Sequence, residues 1–365
     1  MSATTADPEK EIIKLVDMIK SRYLCSPRTL AVDTFNAFNT LIKEINWRRF
    51  QDMQDMIILY ADEISEHCRP HAIVAENVSL RILRMVSNAM KNKVEEESDM
   101  ECETLQLLLR SHRTHIDLSR SLLQENHHMD ENISTFLDNL KEELQTYKNE
   151  LDACAEDISY QSIQYIHSNE TVMVYGHSRT IEMFLKHAAK KRKFRVIVCQ
   201  TSPDQVGHIM VERLSSFPNI QITLIPDSCI YAMMARVNKV ILSCYSISAD
   251  GSVCSRAGAN ALALSASVYG IPILVCTGLY KLSPRYHFSS SVCGRDVDYS
   301  FLVSPAPILD YYTSNTLPGV HVLNPSFDYI PASLISLFIT NKGSLSPSYM
   351  YRLLKEMYKL DEREF

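Results

Sequence analysis

Residues 238–276, NKVILSCYSISADGSVCSRAGANALALSASVYGIPILVC, hold a strand, a loop, a helix and a second strand in one short span. Val240, Ile241 and Leu242 form an apolar run suited to a strand buried on both faces, and Asp250-Gly251 carries turn chemistry. Ala257 to Ala266 is small and helix-forming, and Ile271 to Val275 is the next strand. Apolar strands joined through a helix favour a right-handed crossover in a parallel sheet, with the loops gathered at the carboxyl ends of the strands. A ligand site in this half of the chain is expected there.

The alternation extends towards the N-terminus. Val172 to Tyr175, Phe194 to Cys199 and Ile220 to Ile225 read as buried-type strands, with helical segments at Ile181 to Ala189, Val206 to Leu214 and Cys229 to Met234 between them. This is the pattern of a doubly wound, Rossmann-like α/β domain, closed by a strand near Phe301 and a helix from Tyr349 to Tyr358. Before Thr171 the period is helical. Ile12, Leu15, Val16 and Ile19 share one face, as do Phe35, Phe38, Leu41, Ile42 and Ile45, and then Met53, Met56, Ile57, Tyr60 and Ile64. Pro27 and Pro70 stand between stripes, where proline starts or stops helices. The longest stripe, Ile133, Phe136, Leu137, Leu140, Leu144, Tyr147 and Leu151, predicts one long amphipathic helix. The expected organisation is an all-helical domain, 1–168, followed by a Rossmann-like parallel-sheet domain, 169–365.

Composition limits the function. With 46% hydrophobic and 22% charged residues in 365, the chain reads as a soluble globular protein of about two domains. A formal net charge of −6 argues against binding nucleic acid through a general positive field. Ten cysteines without a CxxC pair or metal-type spacing argue against a zinc site or a disulfide framework and fit a reducing compartment. The N-terminus lacks the apolar core of a signal peptide, and no run approaches ~20 apolar residues. A cytosolic protein with no membrane contact, cofactor or metal is expected.

Several short motifs invite chemistry. Gly176-His177-Ser178-Arg179-Thr180 stands at a strand-to-helix turn like a nucleophile elbow without its last glycine. It reads first as a helix start capped by Ser178, and the same start is a potential phosphate site assisted by Arg179. Lys190-Lys191-Arg192-Lys193 with Arg195 is the most basic run, and at a helix C-terminus it complements the helix dipole. Asp227 reads as a helix start. His127, His128 and Asp130 read as surface residues, because neighbours on a helix point about 100° apart. The acidic run Lys93 to Glu103 reads as a solvated loop.

The segments VMVYGHSRTIEMFLKHAAKKRKFRVIVCQ, ARVNKVILSCYSISADGSVCSRAGANALALSA, VCTGLYKLSP and FDYIPASLISLFITNKGSLSPSYMYRLLKEMY resemble the alpha/beta/delta regulatory-subunit family of eukaryotic translation initiation factor 2B, the beta type above all. The resemblance implies a helical domain on a Rossmann-like domain. It also implies a regulatory role in the guanine nucleotide exchange factor that reloads initiation factor 2 with GTP, with exchange catalysis in an epsilon-type subunit. Implied partners are the alpha, gamma, delta and epsilon types of subunit and initiation factor 2, especially its alpha subunit, whose phosphorylation would be sensed. The region Leu118 to Glu150 is the expected contact with that factor.

The family is related to isomerases of methylthioribose 1-phosphate and ribose 1,5-bisphosphate, which leaves a sugar-phosphate isomerase, or a sensor that keeps the pocket, as alternatives. Those isomerases carry a cysteine in a pattern like T-H-C-N-T-G and an aspartate in G-A-D-R; the matching positions here are Gly176 and Tyr245. Gly176 has no side chain to act, and a tyrosine with pKa near ~10 does not replace a carboxylate at neutral pH. Gly176, Ser178, Arg179, Tyr245 and Asp250 then mark a vestigial pocket.

The apolar C-terminal segment, with Phe327, Tyr329, Tyr349, Tyr351 and Leu354, is expected to expose an interface patch. By resemblance His167 and Asn169 face a delta-type subunit, and Arg195 and Ile197 complete the candidate interface.

Overall fold

The computed structural model describes residues 8–20, 26–44, 50–68, 73–94, 133–284, 302–314 and 319–358. His127, His128 and Asp130, most of the acidic run, Pro70, Phe301 and residues 118–132 of the expected factor contact lie outside them. The chain forms two compact units, one of Met1–Leu151 with Leu353–Phe365 and the other of Asp152–Arg352. This division differs at both ends from 1–168 and 169–365.

The first unit holds the helices Pro8–Lys20, Pro27–Glu44, Phe50–Cys68 and Ile73–Val94, with Pro27 at a helix start where its missing N–H costs nothing. The stripes read from the sequence turn inward. Leu15, Val16, Phe35, Phe38, Leu41, Ile57 and Ile64 are buried, and so are Leu140, Leu144 and Tyr147 of the helix Ile133–Tyr160. The rings of Phe35 and Tyr147 meet edge to face at 5.8 Å.

The second unit is built on a seven-stranded sheet of β1 (Thr171–Tyr175), β2 (Phe194–Cys199), β3 (Ile220–Ile225), β4 (Lys239–Ser243), β7 (Ile273–Cys276), β9 (Leu337–Thr340) and β10 (Gly343–Leu345), in the order β10-β9-β7-β4-β1-β2-β3. All neighbours pair in parallel except β9 and β10. Alternate residues of a strand face opposite ways. Val172, Val174, Val196, Val198 and Ile241 join one core with Ile181, Phe184, Leu185, Met210 and Leu214 of the helices Arg179–Ala189 and Gly207–Ser215. Met173, Val240, Leu242, Ile273 and Val275 turn to the other face and are equally buried. Winding runs from β1 one way to β3 and from β4 the other way to β9. The switch point of this doubly wound sheet therefore lies between β1 and β4.

Two features depart from the sequence reading. The loop inside 238–276 contains β5 (Ser246–Ile247) and β6 (Val253–Arg256), joined through the Asp250-Gly251 turn. They form a small antiparallel sheet with β8 (Phe327–Ile330). The apolar run from Phe327 to Thr340 is two strands, β8 and β9, separated by Pro331 and a short 3₁₀ turn, so it shows no single period.

Candidate functional site

Backbone geometry shapes the crevice at the carboxyl ends of β1 and β4. Gly176 leaves β1 at φ +66°, and a Cβ there would lie 3.1 Å from Thr201 Oγ1 and 3.2 Å from Val206 Cγ2. Ser178 takes the extended N-cap position of the helix Arg179–Ala189, but its hydroxyl makes no capping bond, contrary to expectation. Only its carbonyl serves the helix, accepting from Glu182 N–H at 2.8 Å. The charge of this helix start is carried by a residue the sequence reading passed over. Glu182, nearly buried, receives Lys186 Nζ at 2.7 Å and pairs with His177 Nε2 at 3.0 Å. Burial pushes its carboxyl up, but the bonds from Lys186 and His177 and the charges of Lys186 and Arg213 prevail and hold it below the usual carboxylate range. Arg179 is exposed.

After β4 come Cys244 and Tyr245, both buried. The Cys244 thiol donates to Thr277 Oγ1 at 2.9 Å, and burial pushes its pKa up, so it stays a neutral thiol. Tyr245 fills the position after it, with its ring 4.5 Å from that of Phe327. The carbonyl of Cys244 accepts from Lys281 Nζ at 2.7 Å. Lys281 is itself buried, so this carbonyl supplies a hydrogen-bond partner that its desolvated ammonium needs. Lys281 lies inside VCTGLYKLSP, but no periodicity marks it as buried.

The acids around the crevice are committed to backbone or to neighbouring side chains. Asp227 accepts from Thr201 N–H at 2.9 Å and Ser202 N–H at 2.6 Å, which is the partner its sequence position did not reveal. Asp328 accepts from Gly258 N–H at 3.2 Å and Asn260 N–H at 3.0 Å, capping the helix Ala259–Val268. Asp204 pairs with Arg256 at 2.9 Å. Tyr175 Oη donates to Ala257 O at 2.7 Å, and burial, with Asp227 and Cys199 adding to it, raises its pKa. Asp250 is held in the β5–β6 turn by Ser252 and Tyr329 Oη. The arrangement offers no thiolate and no uncommitted carboxylate among these residues.

The interface candidates scatter. His167 and Asn169 are exposed at the amino end of the sheet, where His167 N–H donates to Glu170 and Arg192 reaches both His167 and the carbonyl of Ile166. Asn169 is left-handed at φ +67°, a region asparagine tolerates. Arg195 is exposed, but Ile197 is 4% exposed and belongs to the core, so it is not a free surface residue. The C-terminal patch is likewise corrected. Leu354 is fully buried and Tyr358 is 2% exposed, because the apolar stripe of the helix Met350–Tyr358 turns inward. Phe327, Tyr329, Tyr349 and Tyr351 are half-buried. Large apolar side chains are exposed elsewhere, at Tyr231, Leu264, Val268 and Tyr269, where the helix Ile230–Met234 meets the helix Ala259–Val268. No charge occurs from Ala257 to Tyr280, a signal that the sequence carried and the reading did not use.

Among the described residues no helix is long and apolar enough to cross a membrane. Residues 26–347 match the model of the initiation factor 2 subunit family. Translation initiation factor eIF2B subunit beta of Dictyostelium discoideum is 44% identical over 209 residues, covering 57% of this chain and 52% of that protein. The chain spans about half the length of the eIF2B beta relatives it matches. Ribose 1,5-bisphosphate isomerase of Archaeoglobus fulgidus is 25% identical over 293 residues, covering 80% of this chain and 90% of the isomerase. A chain of the tetrameric eIF2B-beta2-delta2 complex from C. thermophilum shares the fold, with a TM-score of 0.71 at 18% identity and 96% of each chain covered.

Proposed function

The chain belongs to the initiation factor 2 subunit family, and from that premise we propose that it is a non-catalytic regulatory subunit of an eIF2B-type guanine nucleotide exchange factor. It assembles with related subunits, contributes to holding the alpha subunit of initiation factor 2 and helps the assembly respond to its phosphorylation. The likeness to eIF2B subunit beta supports the choice within the family.

One observation carries the non-catalytic part. The two positions that resemble the isomerase cysteine and aspartate hold a glycine in a left-handed turn and a buried tyrosine packed against Phe327 with the rings tilted by 39°. Gly176 has no side chain to act, and a phenol that stays protonated at neutral pH does not replace a carboxylate base. The thiol next to Tyr245 is raised in pKa by burial. Assembly is supported by the exposed apolar group of Tyr231, Leu264, Val268 and Tyr269. An added phosphate brings roughly −1.5 to −2 charge, enough to shift an equilibrium at a polar helix face such as that of Glu142, Gln145, Thr146 and Asn149.

The test supplies the purified chain with methylthioribose 1-phosphate and with ribose 1,5-bisphosphate, and separately adds it to the other subunits in a GDP-release assay. No isomerisation together with raised GDP release is expected. Turnover of either sugar phosphate would overturn the reading.

A further inference from the structure

We propose that residues 353–358 of the helix Met350–Tyr358 are a strap that holds the helix Ile73–Val94 in place, so that the helical unit is complete only once these residues have joined it. The helix Ile73–Val94 is buried on every side through its first turns, from Ile73 to Leu80, and again from Ile82 to Val86. That burial includes Glu76 at 6%, Asn77 at 1% and Arg84 at 7% exposure. Buried Glu and Arg are rare unless a partner covers and satisfies them. A helix carrying such residues would ordinarily turn them to water.

The helices Pro27–Glu44 and Phe50–Cys68 pack on it most, and residues assigned with this unit from the chain end add to the cover beside Arg81. Leu353 and Leu354 are 7% and 0% exposed, and Tyr358 is 2% exposed. Arg81 Nη1 donates to the carbonyl of Met357 at 3.2 Å, which satisfies a free carbonyl in the last turn of the strap. The Tyr358 phenol lies within the fields of Arg81, Glu76 and Arg84, and its burial raises its pKa. A hydrogen bond across 276 positions of sequence and the buried ring of Tyr358 therefore close on one helix.

Hydrogen–deuterium exchange on the full chain tests this, comparing the native protein with Tyr358→Ala, Arg81→Met and the exposed control Glu356→Ala. Tyr358→Ala should lower protection across Ile73–Val94 at least tenfold, Arg81→Met should lower it less, and Glu356→Ala should change nothing. Protection of β1 and β2 should stay as in the native chain. Unchanged protection of Ile73–Val94 in both variants would overturn the strap, and so would an equal loss in β1, which signals global unfolding. If Tyr358→Ala yields no soluble chain, Arg81→Met decides by the same comparison.

Discussion

Replacing Gly258 by alanine sets a methyl group where two constraints meet. The residue is left-handed, at φ +94°, a conformation that costs a side-chain-bearing residue roughly 1–2 kcal/mol. The new Cβ would also lie 2.0 Å from Tyr175 Oη and 2.9 Å from its Cζ, and Tyr175 is 6% exposed. The phenol must move and give up its bond to Ala257 O, a loss of about 1 kcal/mol at a buried site. The sum is about 2–3 kcal/mol, which lowers exchange protection in β1 and in the helix Ala259–Val268 roughly thirty- to a hundredfold, at tenfold per ~1.4 kcal/mol. Hydrogen exchange suits the question because it reports on one region of a two-unit chain. In a Tyr175→Phe background the obstructing oxygen is gone, and the cost of the alanine should fall by about 1 kcal/mol, read as a double-mutant coupling. Protection within threefold of native for Gly258→Ala, or strict additivity with Tyr175→Phe, would refute this account of the crevice.

Restoring the isomerase-like pair through Gly176→Cys and Tyr245→Asp should yield no isomerase activity and a lower melting temperature, since the cysteine meets a left-handed turn and the carboxylate enters a buried site; a gain of turnover counts against it. Glu182→Gln should destabilise the α/β unit by about 1 kcal/mol at pH 7, a figure kept low because Lys186 and His177 are partly exposed. Because the folded carboxyl lies below its ordinary value, its contribution is present above pH ~4.5 and fades as pH falls through the folded pKa, so native and variant should converge in acid in a pH series of melting curves. Leu354→Asp should leave little folded chain, with several kcal/mol lost to a buried unpaired charge, while Tyr351→Asp should fold, as circular dichroism of each will tell.

The central parallel strands were legible because they are buried on both faces and read as unbroken apolar runs, as Val172 to Tyr175 and Ile273 to Cys276 show. The helical stripes were legible through their period. What escaped were elements too short to have one, such as the two-residue β5, and the β8–β9 run cut by Pro331. At the site, Gly176 and Tyr245 could be placed by resemblance, whereas Glu182 and Lys281 could not, because their roles depend on Lys186, His177 and the carbonyl of Cys244. Leu354 was misjudged for a related reason. An apolar stripe announces that it will be covered without saying by what, and here the cover comes from the chain itself.

Strand β10 bears on how such molecules could polymerise. It is three residues long and runs against the six strands beside it, turned back by Asn341-Lys342 with Thr340 Oγ1 donating to Gly343 O at 2.7 Å. So short and reversed an edge gives an incoming strand little to pair with. At the opposite margin β3 is six residues long and exposes Gln221, Thr223 and Leu224. A sheet that propagates from molecule to molecule needs a joinable margin on each side. With one margin closed, any edge-to-edge addition ends at a pair.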